Sequence, residues 1–154
     1  MSMDNIFGIA GTALNAQLTR MNATASNLAN AGTVASTEQE AFRAKRPVFK
    51  ALVDAQMTHN GAPYVGGVKI DRMADDTAPP RRVSDPKNPL ADENGYVYQS
   101  NVSEVTEMVE MMAAARSYQN NVEVINTARQ LMMRTLDISC LLYTSPSPRD
   151  RQKS

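Results

Sequence analysis

The side chains able to do chemistry are few and scattered. His59 is the only histidine, in the turn-like stretch "MTHNGAP". A general base or a metal ligand needs a second group held beside it, and a lone loop histidine is ordinarily solvated. The carboxylate pairs Asp75-Asp76 and Asp92-Glu93 sit in turn-like segments, where neighbouring acids bind a cation weakly and are usually hydrated. "ADENGYVYQSN" has the look of a calcium loop, but with Gly95 at its sixth position the first and twelfth would be Leu90 and Asn101. Neither is a carboxylate, so that reading fails. Phosphate loops, dinucleotide fingerprints and nucleophile elbows do not occur. Cys140 is the only cysteine, which leaves no pair for a disulfide or thiolate zinc site. No catalytic, cofactor-binding or metal-ligating residue is assigned, and the expectation is a protein that is not an enzyme.

The elements that would have positioned a site point to another purpose. Phe7, Gly11, Leu14, Leu18, Met21, Ala25 and Leu28 recur at alternating steps of four and three. This is one apolar stripe on a helix, with the spacing of a coiled-coil seam. Asp4 is placed to cap its start, and Gly32 stands just past its end. A second stripe runs through Met108, Met111, Ala115, Tyr118, Val122, Ile125, Arg129, Met132 and Leu136, widened by Val105, Val109, Met112, Leu131 and Met133. No Gly or Pro interrupts Val102 to Leu136, and such a helix would be about 50 Å long.

Composition explains why these stripes look outward. The chain has 154 residues, 5% aromatic, with no Trp and ten Met. That mix packs helix on helix but offers few large anchors for a single core, and Met adapts to several neighbours. Two long helices with narrow seams are bundled naturally with other chains. Charge gives no competing signal: 16 basic and 16 acidic residues balance over the whole chain. Before Ser139 there are 13 basic and 15 acidic residues, because the tail carries Arg149, Arg151, Lys153 and Asp150. No basic field suggests nucleic acid or anionic lipid. No apolar run approaches the ~18 residues of a membrane span, and no basic residue precedes Arg20 as a secretory signal would require.

Between the helices all six prolines that precede the tail occur, with short β-like runs "PYVGGVKIDRM", "PRRVS" and "YVYQS". Asn60-Gly61, Asp85-Pro86, Asn88-Pro89 and Asn94-Gly95 mark turns, and Asn94-Gly95 suits a two-residue type I′ hairpin. The segment from Phe42 to Phe49 reads either as a strand or as part of a short helix. The expected fold is α+β: long terminal helices pairing as a coiled-coil-like bundle around a small β-rich insert. The expected divisions are an N-terminal axial helix (1–33), an extended and β-rich insert (34–101), a C-terminal axial helix (102–138) and a non-native tail (139–154).

"MNATASNLANAGT" followed by "FRAKRPVF" resembles the N-terminal signature of the flagellar rod, hook and hook-filament family. "ADENGYV", with "RSYQNNVEVINTA" and a closing "TL" (Thr135-Leu136), is similar to its proximal-rod members. The resemblance spans Met3 to about Ile138. It implies a structural subunit of the bacterial flagellar basal body that transmits motor torque and lines the export channel. It also implies export by the flagellar type III apparatus without a cleaved signal, and a periplasmic location. Other rod subunits, further copies of itself and the export-gate or membrane-ring junction are the implied partners; no cofactor is implied. A distal-rod relative and a generic coiled-coil adaptor are the alternatives. The expected assembly interface comprises Leu14, Leu18, Met21, Asn22, Asn27, Leu28 and Asn30 on the first helix. On the second it comprises Met108, Met111, Ala115, Tyr118, Val122, Ile125, Met132 and Leu136. The three Asn are expected to bond across to neighbouring chains. Without neighbours the seams have nothing to bury against, so poorly ordered termini are expected in the free chain.

After Leu136 the chain continues "DISCLLYTSPSPRDRQKS", where Ser, Pro and Arg replace the seam. Back-translation of Cys-Leu-Leu-Tyr-Thr-Ser matches a transposon-end sequencing adapter, hence the assignment of the tail as foreign to the gene.

Overall fold

Uninterrupted helix-forming sequence at both ends, and turn-rich sequence between, produce, among the described residues, two long helices and seven short strands between them. The computed structural model describes residues 3–52, 57–59, 62–64 and 66–143. Helix α1 (Met3–Ala29) and helix α2 (Glu104–Tyr143) have 27 and 40 residues, so they measure about 40 and 60 Å. α2 runs past Leu136, where the apolar seam ends, because the residues that follow lack a breaker until Pro146.

Both termini of the inner helix ends are satisfied locally. Ser103 precedes α2, and its carbonyl accepts the Glu107 N–H at 2.9 Å. The hydroxyl of Thr106 donates to the Ser103 hydroxyl at 3.1 Å. Glu104 and Glu107 place negative charge in the first turn, where the helix dipole favours it. α1 ends differently from the sequence expectation. Gly32 is not among the glycines with positive φ, so it does not form a left-handed cap. Instead the chain leaves through tight turns, Ala31 N–H to Leu28 O and Thr33 N–H to Asn30 O, while Asn30 Nδ2 donates to Ser26 O at 2.8 Å. The side chain of Asp4 lies outside the described residues.

The helices pack antiparallel. Asn27 faces Glu107, Arg20 faces Glu110, and Ile6 lies beside Val124 and Leu131. Alanine dominates the buried positions of both helices: Ala16, Ala23, Ala114 and Ala128 are all at most 7% exposed. Such small side chains let the backbones approach closely, at the expense of apolar area.

The insert holds β1 (Val34–Ala35), β2 (Lys45–Ala51), β3 (Met57–His59), β4 (Ala62–Tyr64), β5 (Val68–Asp75), β6 (Arg81–Ser84) and β7 (Tyr96–Gln99). All pairings are antiparallel: β1-β7-β6 form a three-stranded sheet, and β2 with β5 and β3 with β4 form ribbons. The ambiguous segment is therefore extended, from Lys45 onward. His59 ends β3 rather than sitting in a turn. The expected turn at Asn60-Gly61 lies outside the described residues. A small apolar cluster of Ala31, Ala44 and Val102, with Phe42 against it, joins the insert to the helix pair.

The Asn94-Gly95 turn is a three-residue loop, not a two-residue type I′ hairpin. Asp92 N–H bonds Tyr96 O at 2.8 Å and Gly95 N–H bonds Asp92 O at 2.9 Å, a type I turn closed by a glycine bulge. The Asp92 carboxylate takes the N–H groups of Asn94 and Tyr96 at 2.9 and 2.8 Å. That acceptor role is what moved the turn by one residue. Gly95 has φ +75°, and a Cβ there would sit 3.2 Å from the Pro86 ring.

The β2–β5 ribbon lies along α1 and is fastened at both ends. Near one end Lys45 meets Asn27; near the other, Val68 N–H donates to Thr12 Oγ1 at 3.1 Å. Gly67, at φ +126°, permits this approach, since a Cβ would come within 2.8 Å of Thr12 Oγ1.

Candidate assembly interface

With α2 on one side of α1 and the ribbon on another, a third face of α1 stays open. Gly11, Asn15, Leu18, Asn22, Ala25 and Ala29 are exposed and recur at steps of four and three. Leu18 is 46% exposed. The seam read from the sequence is thus mostly not the seam buried within the chain. Leu14, Met21 and Leu28 are half-buried at its margin. Asn22 is exposed.

Asn27 is a correction to the sequence reading. It is completely buried within the chain, so it is not free to bond across to a neighbour. Its Oδ1 accepts the Lys45 N–H at 2.7 Å, and its Nδ2 donates to Lys45 O and to Glu107 Oε2, both at 3.0 Å. One amide therefore joins α1, β2 and α2. Asn30 is also used internally, through its bond to Ser26.

On α2, Met111, Ala115, Tyr118, Val122 and Ile125 are half-buried along the margin of the helix pair. Met108 is 50% exposed, Met132 42% and Leu136 61%. The buried line lies one residue earlier than the predicted stripe and includes Glu107, Ala114 and Ala128. This shift leaves two apolar surfaces open. Val105, Met108, Val109 and Met112 form one on the first two turns, with Val105 73% and Met112 65% exposed. Leu131 and Ile138, at 54% and 60%, form the other towards the end of α2, and Met133, at 58%, is exposed on the opposite side of the helix there. Beside it Ile6, Val124, Ala128 and Leu131 line an apolar groove of about 390 Å³.

Sequence reasoning missed the polar junction behind these faces. Glu107 has no solvent exposure. Arg46 Nη2 stands 2.9 Å from its Oε1, in an ion pair off the line of a hydrogen bond. Arg46 Nε also lies 3.7 Å from Asp76. Ser100 Oγ donates to Ala31 O at 2.6 Å, and Asn101 Oδ1 accepts the Ala44 N–H at 2.8 Å. The available signal was the seven-residue recurrence of Glu107, Ala114, Asn121 and Ala128. Among the described residues no group of three or more His, Cys, Asp or Glu could hold a metal ion, and no helix is long and apolar enough to cross a membrane.

Comparison with known proteins gives the same outline. Residues 7–34 match the family model "Flagella basal body rod protein", and residues 93–138 match "Flagellar basal body rod FlgEFG protein C-terminal". The flagellar basal-body rod protein FlgC of Salmonella typhimurium is 49% identical over 138 residues, which is 90% of this chain and 98% of that protein. The chain belongs to the FlgC family. The FlgC proteins of Yersinia enterocolitica and of Buchnera aphidicola from Baizongia pistaciae are 47% and 35% identical with the same coverage. The role that goes with the FlgC family is structural, that of an axial protein of the flagellar basal-body rod. The two family matches cover the helices and their approaches, while the β2–β5 ribbon lies between them.

Proposed function

We propose that the chain is a proximal-rod subunit whose open apolar faces are its contacts with neighbouring rod subunits. The observation that carries this is the exposed pair of surfaces on α2, Val105 to Met112 and Leu131 to Ile138, on a helix longer than its partner. Burying a Leu, Met or Val side chain contributes about 1.5–3 kcal/mol, so these surfaces hold substantial association energy that the single chain does not use. The open face of α1, with Leu18, Asn22 and Ala25, serves as a second contact. Its small residues suit close approach by another helix.

Torque transmission follows from the same geometry, because a long seam distributes shear over many side-chain contacts. The helices would line the export channel, and the subunit would reach the periplasm through the flagellar export apparatus without a cleaved signal. The export-gate or membrane-ring junction is its further expected neighbour. Residues 1–33, 34–101 and 102–138 act as axial helix, insert and axial helix. The tail from residue 139 is read as foreign, supported by the end of the C-terminal family match at residue 138.

The test is complementation. In a motile strain lacking its own FlgC, the chain ended at Ile138 is expected to restore swimming. Export at a normal level with no swimming would overturn the assignment.

A further inference from the structure

Alanine seams have a weakness that the polar junction answers. The buried line of α2 is short-chained and repetitive, with Ala114 and Ala128 at 0% and 5% exposure on either side of half-buried Asn121. Sliding α2 by one heptad replaces Glu107, Ala114, Asn121 and Ala128 with Ala114, Asn121, Ala128 and Thr135, all short side chains, so bulk alone distinguishes the registers poorly. A buried polar group at a seam position is a known means of fixing register, because every slipped arrangement strands it. Asn27 and Glu107 are such a pair, both without solvent exposure. A slip of one heptad would bring Asn27 opposite Ala114 and separate Glu107 from both Asn27 and Arg46.

We propose that Glu107, held by Asn27 and Arg46, is a register lock that selects one stagger of α2 on α1. It thereby sets how far α2 projects past the start of α1. The pair Arg20–Glu110, closer to the solvent, reinforces the same stagger. The significance of the projection for assembly rests on the proposed rod function, but the lock itself does not.

Disulfide trapping in the full chain tests this, with Cys140→Ser so that the introduced thiols are the only ones. Ile6→Cys with Thr127→Cys reports the present stagger, because both residues line one groove. Ile6→Cys with Arg134→Cys reports the stagger one heptad away. With Glu107 in place, the second disulfide should form at less than about a tenth of the yield of the first. Glu107→Ala leaves Asn27 bonded to Lys45 and removes the carboxylate that a slip would strand. In that variant the slipped disulfide should rise to within about threefold of the first, with helical circular dichroism retained. Glu107→Gln, which still accepts from Asn27, should restore the single stagger. If Glu107→Ala keeps only the first disulfide, the lock is refuted. Loss of helical signal in Glu107→Ala would also overturn it, since the residue would then stabilise the pair and not choose its stagger. Both results come from the isolated chain and leave swimming complementation as a separate question.

Discussion

Asn27→Ala is expected to lower the stability of the chain by about 3 kcal/mol, the largest effect of any single side chain in "MNATASNLANAGT". Three hydrogen bonds vanish together, two of them to Lys45 and one to Glu107. Alanine fits the space but leaves the Lys45 N–H and C=O without their partner. An unmade bond at a buried group costs about 1–3 kcal/mol, and the half-buried Lys45 recovers part of that from water. Glu107 keeps Arg46 but loses its amide donor. For a chain of this size the loss corresponds to a fall in Tm of about 6–12 °C, measurable by thermal unfolding followed at 222 nm. Asn22→Ala is the contrast. Asn22 lies on the open face, and its replacement should change stability by no more than about 0.5 kcal/mol. Equal effects at the two positions would show that the Asn27 junction contributes little.

Met133→Asp should give the opposite pattern, an intact subunit that does not assemble. Met133 is 58% exposed on the projecting end of α2, so a carboxylate there remains hydrated in the free chain and its stability should hold within about 0.5 kcal/mol. In an apolar contact the same carboxylate must be desolvated. That adds several kcal/mol to the lost burial of Met, enough to reduce association by more than about a hundredfold. Met112→Asp, on the other open surface, should behave likewise. The measurement is a pair: unfolding of the purified variants, and swimming of a FlgC-deficient strain that expresses each of them. Normal swimming with either variant would exclude that surface from the interface.

The sequence made the architecture legible because seams and breakers are local signals. The four-three spacing from Phe7 to Leu28 and the absence of Gly and Pro between Val102 and Leu136 suffice to place both helices. "PYVGGVKIDRM", read as one run, is divided between β4 and β5, and "PRRVS" and "YVYQS" became β6 and β7. What was less legible was which stripe faces inward. Large apolar residues draw the eye to Leu18 and Met108, but within the chain the close face is alanine, one residue away on α2. Asn27 looked like a group for a neighbour because its partners, Lys45 and Glu107, are distant in sequence. Glu107 drew no reading of its own, since its partners Asn27 and Arg46 are likewise distant in sequence. Gly32 and Asn94-Gly95 were read through their commonest turn types. Here the side chains of Asn30 and Asp92 supplied bonds that changed the geometry.

The open faces of α2 are central to the account, and thiol accessibility measures them directly. Met112→Cys and Met133→Cys, each in a Cys140→Ser chain, should react rapidly with a maleimide in the free subunit. In isolated basal bodies that contain the same chain, burial between helices should slow both reactions by at least about a hundredfold. Equal reactivity in the free subunit and in the rod would contradict the account, because the surfaces left open by the fold would then remain open in the assembly.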